Sequence, residues 1–150
     1  MAQTLFSLLV HVVFSTKNRT NLIPLEVESD LFAYIGGILK SRGTRLLAAG
    51  CTQNHIHLLI SFSKNDAFSV TMRELKASTS RWMKERDSSL RAFQWQEGYG
   101  AFSIGASQIP ALRSYLQRQK EHHRTRSFED EYVKLIEKYE MDYDPNFLWE

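Results

Sequence analysis

Two histidines stand one residue apart in His55-Ile56-His57, inside the run His55-Ile-His-Leu-Leu-Ile60. Side chains alternate along a β-strand, so His55 and His57 share one face while Ile56, Leu58 and Ile60 take the other. The apolar set can anchor such a strand in a core. The two imidazoles, about 7 Å apart along the strand, can then lean onto one metal ion. With no residue or two residues between them they would face opposite sides. The same pattern suits two polar residues on a solvated sheet face, so the motif alone leaves both readings open.

Tyr115 and Gln119 form a second constellation. On a helix they are i and i+4, one turn apart on one face. A glutamine amide oxygen is a hard, neutral ligand that could complete a metal shell begun by two histidines. The phenol would then stand beside the metal, where a coordinated phosphate would sit. A half-buried packing tyrosine and a solvated glutamine are the alternative. His122 and His123 are adjacent, and on a helix they point about 100° apart, so they cannot both do one job. One could reach phosphate, the metal or Tyr115, while at least one sits at a helix end, where histidine suits the dipole.

The surrounding pattern supplies elements to position these residues. Residues 5–14 are rich in Val, Leu and Phe and read as a buried strand, with Lys17 and Arg19 at its mouth. A helix follows over 24–41, although Gly36 and Gly37 weaken it at about 1 kcal/mol each. Residues 44–52 and 55–62 read as a hairpin, 67–86 as a second helix and 93–104 as an aromatic strand region. Inner positions of the second helix are Val70, Leu75, Trp82 and Met83. A third helix starts at Ser107 or Gln108, tolerates Pro110 in its first turn and runs to about His123. A last helix spans 128–139, before an acidic tail. The order predicts an α+β protein: an antiparallel sheet with helices on one face, a split βαβ (ferredoxin-like or RRM-like) arrangement, plus C-terminal helices. With no repeat, linker or low-complexity stretch in its 150 residues, one domain is the simplest parse.

Composition narrows the class. The chain is 43% hydrophobic and 24% charged, which supports a core and argues against disorder. The net charge of +2 conceals an asymmetry. Residues 113–126 carry five basic side chains against one acidic, and 128–150 carry two basic against eight acidic. Two solvated helix faces would explain this; so would a phosphate-binding surface whose acidic part is turned away. A lone cysteine, Cys51, cannot form an internal disulfide, so nothing asks for an oxidising compartment. The apolar run 5–14 is too short to span a bilayer, is interrupted by His11, and lacks a basic leader and a small-residue cleavage site. A cytoplasmic location without membrane contact is expected.

Several pieces, in this order, carry a resemblance: His11-Val-Val-Phe-Ser-Thr-Lys-Asn-Arg19, Asn54-His-Ile-His-Leu-Leu-Ile-Ser61, Trp95-Gln-Glu-Gly-Tyr-Gly-Ala-Phe102, Tyr115-Leu-Gln-Arg-Gln-Lys-Glu-His-His123 and the ending Tyr143-Asp-Pro-Asn-Phe-Leu-Trp149. Together they resemble the single-tyrosine HUH transposases, the small enzymes of insertion sequences with hairpin ends and their repeat-associated relatives. The resemblance implies that His55 and His57 are metal ligands, Tyr115 the nucleophile and Gln119 the third ligand. It implies Mg2+ or Mn2+, single-stranded or hairpin DNA as partner, and a homodimer in which one subunit's tyrosine helix can complete the other's site. Asn54 departs from the Asp of many members, which puts support behind the ligands in question without removing a ligand.

The expected reaction is transesterification at a DNA phosphodiester through a 5′-phosphotyrosine link, which retains the bond energy needed for rejoining. A free phenol has a pKa near ~10, so a nearby cation or a metal-bound hydroxide would help to deprotonate Tyr115. Lys17, Arg19, Lys76, Lys84, Arg113 and Arg118 are candidate phosphate contacts. Trp82, Trp95 and Tyr99 could stack on bases, although aromatics at such spacings are more often core. Two rivals stand beside this: a non-catalytic DNA-binding relative, and a metal-dependent hydrolase with water as nucleophile. No second His-x-Thr/Ser motif supports a cyclic phosphodiesterase, and a rolling-circle replication protein or relaxase would be longer.

Overall fold

The computed structural model describes residues 2–150. Strand β1 (Leu9–Ser15) leads into helix α1 (Glu28–Ser41), the hairpin β2 (Arg45–Cys51) and β3 (His55–Ser61), helix α2 (Phe68–Arg86) and strand β4 (Gly100–Ile104). Three helices follow: α3 (Ile109–Gln117), α4 (Gln119–His122) and α5 (Phe128–Lys138). The sheet order is β2-β3-β1-β4, with every neighbouring pair antiparallel. This is the expected split βαβ arrangement. It places β3, with its histidines, between two other strands.

Alternation divides the sheet into two faces. Val10, Val12 and Phe14 of β1 and Ile56, Leu58 and Ile60 of β3 join a core closed by Leu31, Ile35 and Leu39 of α1 and Met72, Leu75 and Met83 of α2. Leu31, Ile35 and Leu39 recur at helical spacing and are fully buried. Burial of each contributes roughly 1.5–3 kcal/mol, which outweighs the cost of Gly36 and Gly37, so α1 runs through them. On α2, Val70 and Trp82 are only partly buried, and Thr71 and Thr79 take inner positions instead.

The opposite face is also covered. Val13 and Phe102 pack with Phe128, Tyr132 and Ile136 of α5. Thus helices lie on both faces, where the sequence placed two on one face and left the C-terminal helices unassigned. Close seating of α5 depends on Gly100, since a Cβ there would lie 2.8 Å from Tyr132 Cε1.

Three boundaries differ from expectation. Strand β1 begins at Leu9, because its partners end there: Leu9 pairs with Ser61 on one side and Ile104 on the other. Leu5, Phe6 and Leu8 are consequently exposed. Of residues 93–104, only Gly100–Ile104 form a strand; Trp95 makes a single bridge with Thr16. The third helix breaks at Arg118 (φ −106°, ψ 23°), which separates α3 from α4. No helix among the described residues is long and apolar enough to cross a membrane.

Candidate active site

His55 and His57 are both 0% exposed, which removes the solvated-face reading. Each ring is gripped from behind at Nδ1. His55 Nδ1 lies 2.8 Å from Asn54 Oδ1 and 2.8 Å from Thr52 Oγ1. His57 Nδ1 lies 2.8 Å from Nε2 of His11, whose ring stacks against it. The tautomer decides the rest: with Nδ1–H donated to Asn54 and to His11 each Nε2 keeps a lone pair, and with the proton on Nε2 each ring can donate to Glu131 instead. Both Nε2 atoms face the layer of C-terminal helices.

Tyr115 and Gln119 arrive from that layer, on opposite sides of the Arg118 break rather than on one continuous helix face. Gln119 is buried, with Oε1 3.1 Å from His55 Nε2. The α3–α4 junction can come this close because β2 has Gly50, opposite His57, beneath it. A Cβ on Gly50 would lie 2.1 Å from the Leu116 carbonyl oxygen and 3.2 Å from Gln119 Cγ.

The residue that sequence reasoning missed is Glu131. It belongs to the acidic run expected to turn away, yet it is 2% exposed and lies at the centre of the site. Helix α5 starts with Ser127, whose hydroxyl accepts from the Asp130 amide at 3.1 Å. Phe128, Tyr132 and Ile136 then form its buried stripe, and Glu131 falls on the same stripe. A carboxylate among apolar residues at helical spacing was the signal available. Glu131 Oε1 is 2.8 Å from His57 Nε2, 3.4 Å from His55 Nε2 and 3.2 Å from His123 Nε2. Its Oε2 accepts the Tyr115 hydroxyl hydrogen bond and one from Gln119 Nε2 at 3.3 Å.

The adjacent histidines part company, and neither is left idle at the helix end. His123 sets its ring edge-on to His55, with centroids 4.4 Å apart. His122 stacks on Tyr115 at 4.5 Å.

Burial controls the protonation states. It lowers His11, with help from His57, to about 3, and lowers His55 to about 4, so both are neutral near pH 7. For Glu131, burial opposes the charge, but hydrogen bonds from His123, His55 and His57 more than offset it and hold the carboxyl far below its usual range. Burial and the Glu131 carboxylate push the Tyr115 phenol well above its usual value. The group in contact with that hydroxyl is a carboxylate, while Arg126 is a nearby cation that works in the opposite direction.

This donor set suits a divalent cation. His55, His57, His123 and Glu131 offer ligand atoms all within 4.8 Å of one another, and the Gln119 oxygen faces the same space. Imidazole nitrogens, an amide oxygen and a carboxylate point inward together, an arrangement a cation relieves.

The family model described as "Transposase IS200 like" matches residues 4–119 of this chain. The chain belongs to the IS200-like transposases. The transposases for insertion sequence element IS200 of Salmonella typhimurium and Salmonella typhi are each 25% identical over 127 residues, covering 81% of this chain and 82% of theirs. Two solved structures share the fold. A Deinococcus radiodurans R1 protein assigned as a transposase superposes with TM-score 0.62 at 18% identity, covering 79% of this chain and 95% of its own. A REP-associated tyrosine transposase bound to a REP hairpin gives 0.58 at 16%, covering 82% and 74%. Family membership makes this chain a DNA-cleaving and rejoining enzyme of the transposase class. Helix α5, which brings Glu131, lies beyond the matched residues.

The basic residues singled out from sequence are scattered. Arg113 and Arg118 are exposed on α3 and at its end, near Tyr115. Lys17 is exposed at the end of β1, and Arg19 pairs with Glu129 at 2.9 Å beneath the Trp149 ring. Lys84 is exposed on α2, across the sheet from Tyr115. Lys76, also on α2, donates to the carbonyls of Gln96, Glu97 and Gly98 at 2.5, 2.8 and 2.9 Å, and burial lowers it to about 8. Trp95 is core, its Nε1 donating to Thr79, while Trp82 stacks on Tyr34 and Tyr99 packs against Phe68. Sequence reasoning missed Arg126, Lys134 and Lys138, which line a cavity of about 400 Å³ beside Tyr115 and Glu131.

Proposed function

We propose that this chain cuts and rejoins single-stranded DNA at hairpin-flanked sites, with Tyr115 as nucleophile and a divalent ion held by His55, His57 and Gln119. The observation that carries the reading is the meeting of the Tyr115 hydroxyl with a buried set of inward-facing ligand atoms. Mg2+ or Mn2+ bound there would supply positive charge against the charge that builds on the phosphoryl oxygens.

The chain's own residues do the rest. His122 holds the phenol ring in place from one face. Attack of the Tyr115 oxygen on phosphorus forms the phosphotyrosine link and releases a 3′-hydroxyl; the reverse reaction rejoins the strand without ATP. Arg113 and Arg118 offer phosphate contacts on the outer surface of the tyrosine helix, and the cavity bearing Arg126, Lys134 and Lys138 offers a path for the strand beside it. The hairpin carried by the REP-associated relative is the kind of partner this reading gives to the present chain. Two subunits suit a reaction with two ends to cut, and the exposed Leu5, Phe6 and Leu8 are apolar surface that a second copy would cover.

The test is a denaturing gel. Purified protein is mixed with Mn2+ and a labelled single strand carrying the hairpin that flanks its gene. The expected result is a DNA band shifted by the mass of the protein, absent with Tyr115→Phe and absent in EDTA. Cleavage that persists in Tyr115→Phe would refute the tyrosine mechanism in favour of a hydrolase. Binding without cleavage under any condition would refute catalysis altogether.

A further inference from the structure

We propose that the cavity beside Tyr115 is a base pocket: it receives one unpaired base of the DNA strand, next to the phosphate that Tyr115 attacks, and draws that nucleotide's phosphate to Arg126, Lys134 and Lys138. The placement beside the attacked phosphate rests on the tyrosine reading above; the pocket stands on its own walls and charges.

Size and walls favour a single base. The cavity of about 400 Å³ opens between α3 and α5. It is at the small end of those that hold single small molecules, so a base still paired and stacked in a duplex cannot enter. Its walls are apolar: Ile104 at the end of β4, Ala111 and Leu112 on α3, and Leu135 and Tyr139 from α5 and its end. Tyr139 is pinned in place. Its hydroxyl donates to the Ser103 carbonyl at 2.8 Å, and its ring lies against Phe102 with centroids 5.0 Å apart. A fixed aromatic ring beside aliphatic side chains suits the flat face of a base.

Charge selects the rest of the occupant. Arg126, Lys134 and Lys138 are exposed, and among the described residues none of them forms an ion pair. Lys134 and Lys138 are the only basic residues in 128–150, against eight acidic ones, and both line this cavity. Glu131, the one acid in the lining, is 2% exposed. Helical spacing explains the sorting. Glu131, Lys134, Leu135 and Lys138 are i, i+3, i+4 and i+7 and share one face of α5, while Glu129, Asp130 and Glu137 fall outside it. Three cations without partners around an apolar slot match a nucleotide, which joins an aromatic ring to an anion. A neutral apolar ligand would leave them unused.

The experiment moves an abasic residue, one position at a time, through the unpaired bases of a hairpin strand and measures affinity in EDTA; adduct formation in Mn2+ maps the cleaved phosphate. One abasic position, adjacent to that phosphate, should weaken binding by wild-type protein roughly 5- to 150-fold more than its neighbours do. Ala111→Leu puts a branched side chain into the slot from an exposed helical position that leucine suits. It should weaken the intact strand and leave the abasic position costing no more than about twofold. Lys134→Ala combined with Lys138→Ala should flatten the salt dependence by about 1.4 units of slope, about 0.7 for each phosphate contact on a single strand, and keep the abasic penalty. The proposal is overturned if no single position stands out, or if the penalty is undiminished in Ala111→Leu. A sensitive position remote from the cleaved phosphate overturns the placement. Wild-type protein that forms no adduct refutes the tyrosine reading, and the binding data then still decide for or against the base pocket.

Discussion

Gly50 touches neither proposed nucleophile nor substrate, yet replacing it with alanine should disable the enzyme. The added Cβ would lie 2.1 Å from the Leu116 carbonyl oxygen and 2.9 Å from its carbonyl carbon. Ordinary van der Waals contact begins at 3.4 Å, so the α3–α4 junction has to retreat by about 1.3 Å. Backbone cannot rotate out of the way as a flexible side chain could. Overpacking of this kind costs about 1–3 kcal/mol, which a domain of ordinary stability survives. Function should fare worse. Leu116 sits between Tyr115 and Gln119, so the retreat carries both away from His55, His57 and Glu131. A misplacement of about 1 Å can cost on the order of 100-fold in rate. The assay is single-turnover adduct formation with hairpin DNA, beside thermal unfolding and metal-free DNA affinity. Gly37→Ala is the control: a Cβ there meets nothing within 4 Å, so it should leave activity unchanged and stabilise α1 by about 1 kcal/mol. Folded Gly50→Ala protein with an adduct rate within about threefold of wild type would refute the idea that glycine is needed to seat the tyrosine helix.

Three further outcomes follow from the same geometry. Asn54→Ala removes the acceptor behind His55 Nδ1 and should weaken Mn2+ binding about 10- to 100-fold; unchanged affinity by calorimetry would show that Thr52 alone orients the ring. Acid should destabilise the metal-free fold. His11 and His55 are lowered from 6.5 to about 3 and about 4, so as pH falls below 6.5 the unfolded chain takes up protons first. The stability these neutral rings contribute is complete above that value and is lost progressively toward pH 4. By pH 5 the loss is about 2 kcal/mol per ring, or a Tm lower by about 10 °C than at pH 7; equal Tm values in EDTA at the two pH values would contradict it. Arg113→Ala and Arg118→Ala should each flatten the salt dependence of hairpin binding by about one unit of slope, while Lys84→Ala, across the sheet from Tyr115, should leave it unchanged.

Much of the frame was legible because short-range periodicity carries it. Alternation in His55–Ser61 separated Ile56, Leu58 and Ile60 from the two histidines, and the structure keeps that division. The order of strands and helices admitted a split βαβ sheet, which is the topology found. Less legible were features that depend on a partner distant in the chain. The start of β1 is set by where β3 and β4 end. The break at Arg118 has no proline or glycine to announce it. Lys76 looks like any exposed helical lysine until the loop after Trp95 folds beneath it and presents three carbonyls.

Local order along the chain supplies the available chemistry: paired histidines on one strand face, a tyrosine four residues before a glutamine, and an order of pieces specific enough to indicate the family. Which acid joins them is settled by long-range packing. Glu131 is separated from His57 by 74 residues, and nothing local distinguishes it from the acidic residues around it except its place on an apolar stripe. Folding α5 onto the sheet turns that stripe inward, and burial among three histidines makes a surface-type carboxylate the partner of the Tyr115 hydroxyl. Local spacing dictates which residues share a face; long-range packing dictates what that face meets.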